Sequence, residues 1–182
     1  MSVDLYSAAV PVLQRYLQQL RQLLAKAASA AQAQGLDEHA VLAARLVPDM
    51  FGVAQQAQIA IGFARRACAP LLDMEAELAN QPQTSFGTLD AYAAATLHWL
   101  AHIDATRFNA AAERPIHSEA GFAQLQLPGQ QHVLHYALPN FFFHLSLCYA
   151  GLRAQGLPLS KQDFDGLHAY PAGFSFEAKP TT

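Results

Sequence analysis

Side chains able to do chemistry are concentrated in one apolar segment of the chain, residues 138–149. Within it Asn140, His144 and Cys148 are four residues apart, so on an α-helix their side chains stack along one side. Imidazole and thiolate are common metal ligands, and an imidazole also exchanges protons near neutral pH. The spacing therefore predicts a polar ridge on an otherwise apolar helix, with His144 as its central group.

His144 allows three interpretations. A buried histidine must satisfy its ring nitrogens, and Asp49, Asn140, a tyrosine or water could supply the partner. The same ring could ligate a metal ion or act directly as an acid or base. Cys148 is expected to be inert, because burial in an apolar helix raises the pKa of a thiol and keeps it protonated.

A second pair of histidines, His98 and His102, has the i, i+4 spacing of a two-histidine metal clip. The apolar pattern of their helix places both on the solvent-facing side, and no acidic residue lies between them to act as a base. The favoured interpretation is an incidental surface pair. His132 and His135 lie just before the polar ridge, where they could line the mouth of a cleft.

The composition fits one globular domain and excludes several classes of protein. The chain has 182 residues, of which 52% are hydrophobic and 14% charged, enough apolar material for a substantial core. The net charge is -3 and the 11 lysines and arginines are scattered, which argues against a nucleic-acid partner. No apolar run reaches the ~18 residues of a membrane span, and the first residues lack the pattern of a signal peptide. We expect a cytoplasmic protein with two buried free thiols, Cys68 and Cys148.

Hydrophobic spacing predicts four long helices that position these residues. Pro11 falls inside the first, where it removes a backbone hydrogen bond and predicts a bend. Asp37 is a suitable cap for a short helical turn, and Pro48 is a suitable first-turn residue for the second long helix. Thr88 is expected to cap the third. The four long helices are predicted over residues 3–33, 48–68, 89–106 and 139–156.

Between residues 112 and 129 the hydrophobic period changes from that of a helix to that of a strand. Ala123, Leu125 and Leu127 alternate with glutamines, which predicts a small β-hairpin between the third and fourth long helices. The predicted fold is therefore an all-α four-helix bundle with a hairpin insertion, forming a single domain over residues 1–165. Residues 166–182 hold Gly, Pro, Ser and Thr without a period and predict a loosely packed tail.

Three segments carry a family resemblance. Residues 46–51 read Leu-Val-Pro-Asp-Met-Phe, residues 137–144 contain the block Leu-Pro-Asn-Phe-Phe-Phe-His, and residues 149–164 begin with Tyr-Ala-Gly-Leu-Arg. Together they resemble an uncharacterised bacterial domain-of-unknown-function family related to the DinB/YfiT superfamily. The resemblance extends from residue 6 to about residue 164, and it implies a DinB/YfiT-like four-helix bundle.

The resemblance also implies a metal site in altered form. Better-studied relatives in the superfamily often hold a divalent metal with three histidines, one from the second helix and an H-x-x-x-H pair from the fourth. Here the pair becomes Asn140-x-x-x-His144, and the second helix offers Asp49 but no histidine. A zinc or nickel site formed by His144, Asp49 and Asn140 would be weak, because an amide is a poorer ligand than an imidazole. The residues expected to line the surrounding pocket are Gln56, Cys148 and Tyr149.

Two functional hypotheses follow. The first is a bundle protein without a catalytic role, which forms a homodimer through an apolar helical face and binds a small ligand between its helices. Residues 141–143 motivate it, because three successive phenylalanines on a helix face three directions and one is left for a partner. The alternative, implied by the resemblance, is a metal-dependent enzyme, either a thiol-dependent transferase or a hydrolase, with His144 and Asp49 at the metal.

Overall fold

The computed structural model describes residues 3–171. Over this range the protein is mostly helical, with a small two-stranded antiparallel sheet. Long helices alternate with shorter segments that connect them. In chain order the elements are α1 (Leu5–Ala33), α2 (Glu38–Ala43), α3 (Val53–Cys68), a 3-10 turn (Ala69–Leu72), α4 (Phe86–Leu100), α5 (Ala105–Ala110), β1 (Pro115–Ala120), β2 (Ala123–Pro128), α6 (Gly129–Gln131), a π-helical segment (His132–Ala137), α7 (Leu138–Ala154) and α8 (Lys161–Asp165).

Helix α1 supplies a large part of the buried core. Asp4 caps its start, the carboxylate accepting a 2.7 Å hydrogen bond from a backbone amide of the first turn. Leu13, Leu17 and Leu24 are fully buried, in agreement with the three-and-four spacing of the sequence. The helix continues through Pro11, which is exposed, so the missing amide does not interrupt the buried stripe.

Helix α3 begins at Val53, so the prediction that it starts at Pro48 was wrong. The preceding residues form turns, because the Arg45 guanidinium donates hydrogen bonds to the carbonyl oxygens of Pro48 and Met50 at 3.3 and 3.0 Å. These carbonyls therefore point at a side chain and not along a helix axis. As a result Asp49 lies in an exposed turn before α3.

Two glycines let α3 approach its neighbours closely. A Cβ at Gly52 would lie 2.9 Å from the carbonyl oxygen of Ala43, at the end of α2. On α7, a Cβ at Gly151 would lie 2.7 Å from Cγ2 of Val53, closer than carbon atoms normally approach. Helix α3 packs extensively on α7, α1 packs on α4, and α3 also contacts α4. The two elements that carry the candidate site are thus in close contact.

Helix α4 differs from the prediction at both ends. Its cap is Ser85, with Thr88 as the reciprocal partner in a capping box. The helix ends at Leu100, and the prediction that it extends to residue 106 was wrong. The reason is Asp104, whose carboxylate accepts a 2.9 Å hydrogen bond from the amide three residues on and starts the separate helix α5.

The hairpin predicted between the third and fourth long helices is confirmed. Strands β1 and β2 pair antiparallel along their whole length. Gly121 occupies the turn with a φ of 60°, a conformation that favours glycine. The Tyr136 hydroxyl donates a 3.1 Å hydrogen bond to the Glu119 carbonyl oxygen, which holds the hairpin against the segment that leads into α7.

Helix α8 packs against α1, and Lys26 Nζ lies 2.8 Å from both carboxylate oxygens of Asp163. Of the predicted tail, residues 172–182 lie outside the described residues. Between residues 3 and 171, no helix is both long and apolar enough to cross a membrane.

Candidate functional site

Helices α3 and α7 bring a glutamine and a histidine into direct contact. Gln56, near the start of α3, is buried, and His144 of α7 is half-buried. His144 Nδ1 lies 2.7 Å from Gln56 Oε1, although the two residues are 88 positions apart in the sequence. The hydrogen-bond partner of His144 is therefore Gln56, and neither Asp49 nor Asn140 takes that role.

The hydrogen bonds of Gln56 fix the tautomer of His144. Gln56 Nε2 donates to the Phe51 carbonyl oxygen at 3.5 Å, so Oε1 is the acceptor. His144 Nδ1 then carries the hydrogen and Nε2 bears the lone pair. Burial, followed by the positive charge of Arg66, lowers the pKa of His144. The ring is neutral at neutral pH, and no residue from 3 to 171 bonds to Nε2.

Aromatic rings contact the imidazole of His144. Phe63 of α3 stacks on it, with centroids 5.7 Å apart and 15° between the planes. Phe143 meets it edge-on at 5.1 Å and is 57% exposed. The Arg66 guanidinium carbon lies 5.4 Å from the Phe63 centroid and forms no ion pair within the described part of the chain. The site therefore combines an acceptor nitrogen, aromatic surface and an uncompensated positive charge.

Asn140 serves the helix that carries it. Its Nδ2 donates a 2.8 Å hydrogen bond to the carbonyl oxygen of Tyr136, at the end of the π-helical segment. Pro139 has no amide hydrogen to give to the preceding turn, so a wider turn and a side-chain donor compensate there. The amide nitrogen of Asn140 is thus committed, and its Oδ1 has no hydrogen-bond partner among residues 3–171.

Cys148 and Tyr149 lie in different surroundings. Cys148 is fully buried, and burial raises its pKa to about 12, so it remains an inert thiol as predicted. The Tyr149 ring meets Phe164 of α8 edge-on at 5.6 Å, and its hydroxyl accepts a 3.2 Å hydrogen bond from Arg153. Cys148 is therefore a core residue, and Tyr149 contacts α8.

The residues present do not fit the three-histidine metal centre that the resemblance implies. Among residues 3–171, no group of three or more His, Cys, Asp or Glu side chains could hold a metal ion. Asp49 is exposed and makes no ion pair or hydrogen bond with that part of the chain. Gln56 Oε1 already accepts a hydrogen bond from His144. This leaves His144 Nε2 and Asn140 Oδ1 as the atoms with a lone pair available to coordinate a metal. Two such atoms are fewer than zinc requires from a protein.

His98 and His102 are exposed, as predicted. Their ring centroids are 4.5 Å apart, and His102 Nδ1 donates a 2.7 Å hydrogen bond to the His98 carbonyl oxygen. Because His102 lies just beyond the end of α4, this bond satisfies one of the carbonyls that a helix C-terminus leaves open. The pair thus has a structural role at the helix end.

Two further residues of this region, Phe63 and Arg66, were not predicted as part of the site. Phe63 follows Gln56 by seven residues, and Arg66 follows Phe63 by three. Residues at these spacings lie on the same side of a helix, so the sequence could have indicated that both are near Gln56. His132, which the sequence suggested for the mouth of a cleft, is buried, and its Nε2 donates a 2.9 Å hydrogen bond to the Arg66 carbonyl oxygen. Burial lowers the pKa of His132, and its Nδ1 is buried without a hydrogen-bond partner.

The arrangement of long helices with a small hairpin is that of a DinB-like helical protein. A solved structure of a DinB family member protein from Shewanella denitrificans is similar to this chain, with a TM-score of 0.82 and 28% sequence identity, and the match covers 92% of this chain and 95% of that one. The family model described as a domain of unknown function, DUF1993, matches residues 5–165, and the chain belongs to this family. The resemblance seen in the sequence is thereby confirmed. No curated protein matches the sequence.

Proposed function

We propose that this protein binds a small aromatic ligand beside His144, where α3 contacts α7. The observation that carries the proposal is the 2.7 Å hydrogen bond from His144 Nδ1 to Gln56 Oε1, which orients the ring and leaves Nε2 as an unprotonated acceptor. We group α1, α3, α4 and α7 as a four-helix bundle, and bundles place ligands between facing helices. The half-buried position of His144 gives a ligand access to the ring.

The chemistry of the site favours an aromatic ring that carries a hydrogen-bond donor. His144 Nε2 accepts a hydrogen bond from a ligand hydroxyl or N–H group. Phe63 and the exposed Phe143 offer aromatic surface for the ligand ring. The charge of Arg66, which together with the larger effect of burial lowers the pKa of His144, disfavours a cationic ligand. A neutral or acidic phenol is the simplest molecule with these properties.

Titration with phenol and with toluene separates hydrogen bonding from apolar burial. Phenol is expected to shift the ring nitrogen resonances of His144 and to bind several-fold more tightly than toluene, because a hydrogen bond contributes about 0.5–1.5 kcal/mol. His144→Phe keeps an aromatic ring but removes Nε2, so the two affinities should become equal. His98→Phe, on the exposed pair, is the control. Equal affinities for phenol and toluene in the unaltered protein would count against the proposal.

The metal-dependent enzyme has less support than ligand binding. A thiol-dependent transferase or a hydrolase of that kind relies on a metal held by several protein ligands. Around His144 the described residues offer two atoms that could coordinate a metal, His144 Nε2 and Asn140 Oδ1, and Asp49 lies in an exposed turn. We therefore prefer a binding function without a resident metal.

We further propose that the protein forms a homodimer through the surface around His144. Phe143 and Phe51 are 57% and 48% exposed; the Phe143 ring contacts His144, and the backbone carbonyl of Phe51 accepts a hydrogen bond from Gln56. Exposed aromatic side chains close to one site are typical of interaction surfaces. A partner placed there would also shield the ligand from water.

Size-exclusion chromatography with light scattering tests the homodimer. We expect a dimer at micromolar concentration, and we expect Phe143→Ser to convert it to a monomer because the substitution removes apolar contact area. Phe122→Ser is the matched control, since Phe122 is fully exposed in the turn between β1 and β2 and belongs to neither α3 nor α7. A monomeric unaltered protein, or equal dissociation of both variants, would contradict this part of the proposal.

The cytoplasm is the location that we propose. Cys68 and Cys148 are both buried free thiols. Disulfides are rare in the reducing cytoplasm, so unpaired cysteines accord with that compartment.

A further inference from the structure

A cavity of about 460 Å³ lies between the end of α2, the start of α3 and residues 79–83, and its volume is in the range of small-molecule sites. The side chain of Gln58, on α3, forms hydrogen bonds with the loop of residues 79–83. Its Nε2 donates to the Gln81 carbonyl oxygen at 3.3 Å, and its Oε1 accepts from the Gln83 amide at 3.0 Å. The cavity therefore has walls that are tied to each other by hydrogen bonds.

Among the described residues that line the cavity, Arg45 is the one with a charged side chain. Its NH1 is bound to turn carbonyls, and it forms no ion pair within residues 3–171, so its charge is uncompensated. Gln55 and Asn80 also line the cavity, and their side chains make no hydrogen bonds with the described residues. Leu42 and Ile59 contribute apolar surface. A cation, free carboxamides and an apolar wall thus face the same space.

We propose that this cavity binds a small carboxylate with an aliphatic body. The remaining N–H groups of Arg45 donate charge-assisted hydrogen bonds to the carboxylate, and the amide of Gln55 or Asn80 donates to its second oxygen. The aliphatic part displaces water from Leu42 and Ile59. Among residues 3–171, no acidic side chain lines the cavity to repel the anion. The site shares no residue with the one around His144, so it is independent of the proposed aromatic ligand.

Binding of hexanoate and of hexanamide, followed by NMR, tests the proposal. The two probes have the same aliphatic body and differ in charge. We expect hexanoate to shift the side-chain amide resonances of Gln55 and Asn80 in a saturable manner. We also expect it to bind roughly tenfold more tightly than hexanamide, because its carboxylate pairs with the guanidinium of Arg45.

Two variants test separately the role of the Arg45 charge and the role of the cavity volume. Arg45→Gln removes the charge, and hexanoate should then bind no better than hexanamide. Because Arg45 also holds the turn before α3, Ala54→Leu provides a second test: it keeps the charge, fills the cavity and should abolish binding of both probes. Ala95→Leu, on an exposed position of α4, is the control.

Four results would overturn the proposal. The first is no hexanoate binding, and the second is equal affinity for hexanoate and hexanamide, which indicates an apolar cavity without anion recognition. The third is hexanoate binding that survives Ala54→Leu. The fourth is competition by inorganic phosphate as effective as that by hexanoate, which indicates a general anion contact at Arg45.

Discussion

Gln56 and His144 face each other across the α3–α7 contact, with Gln56 Oε1 2.7 Å from His144 Nδ1. In metal proteins an acceptor on one ring nitrogen orients a histidine so that the other nitrogen meets the metal. Here the same orientation is present, but Asp49 lies in an exposed turn and Asn140 donates to the Tyr136 carbonyl of the preceding π-helical segment. An oriented imidazole without companion ligands is suited to an organic hydrogen-bond donor.

Replacing Gln56 with glutamate is expected to raise the pKa of His144. The two side chains have the same length, and a carboxylate next to Nδ1 stabilises the charged imidazolium. We expect a rise of roughly 1–2 units relative to the unaltered protein, measured by NMR titration of the ring. Gln55→Glu, on the adjacent exposed position of α3, is the control and should change this pKa much less. The same rise in both variants would show that Gln56 does not pair with His144.

Stability is expected to fall when the solution is acidified from neutral pH. Burial lowers the pKa of His132 and of His144 below the ordinary value of 6.5. Between the lowered folded-state pKa and 6.5, the unfolded chain binds more protons than the folded protein. The free energy of unfolding therefore rises with pH in this window. Above the window, the contribution of the two neutral histidines to stability has its full value. Urea denaturation above and below the window measures the effect.

Single substitutions identify which histidines cause the pH dependence of stability. His132→Gln keeps a side-chain donor for the Arg66 carbonyl but does not titrate, so its stability should vary less with pH. His144→Phe should reduce the dependence in the same way. His98→Gln, on an exposed position, should behave like the unaltered protein. If neither His132→Gln nor His144→Phe reduces the dependence, the buried histidines are not its source.

The sequence predicts those elements whose pattern is local. The stripe of α1 and the alternation in β2 each run along the whole element, and both elements form where expected. The start of α3 was predicted wrongly, because Arg45 binds the carbonyls of Pro48 and Met50 and so holds the turns. Such a contact depends on the folded position of one side chain, which no hydrophobic pattern records.

The candidate site, like the fold, could be predicted from the sequence only in part. His144 could be predicted from its place in an apolar helix, but its partner could not, because the choice between Asp49 and Gln56 depends on where α3 begins. With the start at Val53, Asp49 falls outside the helix and Gln56 lies inside it. The π-helical segment before Pro139 was likewise not predicted, since its wider turns leave no clear period in the sequence.

Zinc and nickel are expected not to stabilise the protein at the candidate site. A metal that binds only the folded state raises Tm in proportion to its affinity and concentration. We expect no rise in Tm that depends on His144, and substoichiometric metal in untagged protein. His98→Ala removes the surface pair as a source of weak binding. Metal that persists in His98→Ala and is lost in His144→Ala would restore the metal-dependent enzyme as the better hypothesis.

The close packing of α3 on α7 depends on Gly151. In Gly151→Ala the new Cβ would lie 2.7 Å from Cγ2 of Val53, and overpacking of this kind costs about 1–3 kcal/mol. Val53→Ala removes that methyl, so the double variant should lose less stability than the two single variants combined. Gly87→Ala in α4 is the control, because the nearest atom to its Cβ is Ser85 Oγ at 3.8 Å. There alanine is expected to stabilise by roughly 0.5 kcal/mol. Denaturant unfolding of the set measures these changes, and strictly additive losses for Gly151→Ala and Val53→Ala would show that the two positions do not contact each other.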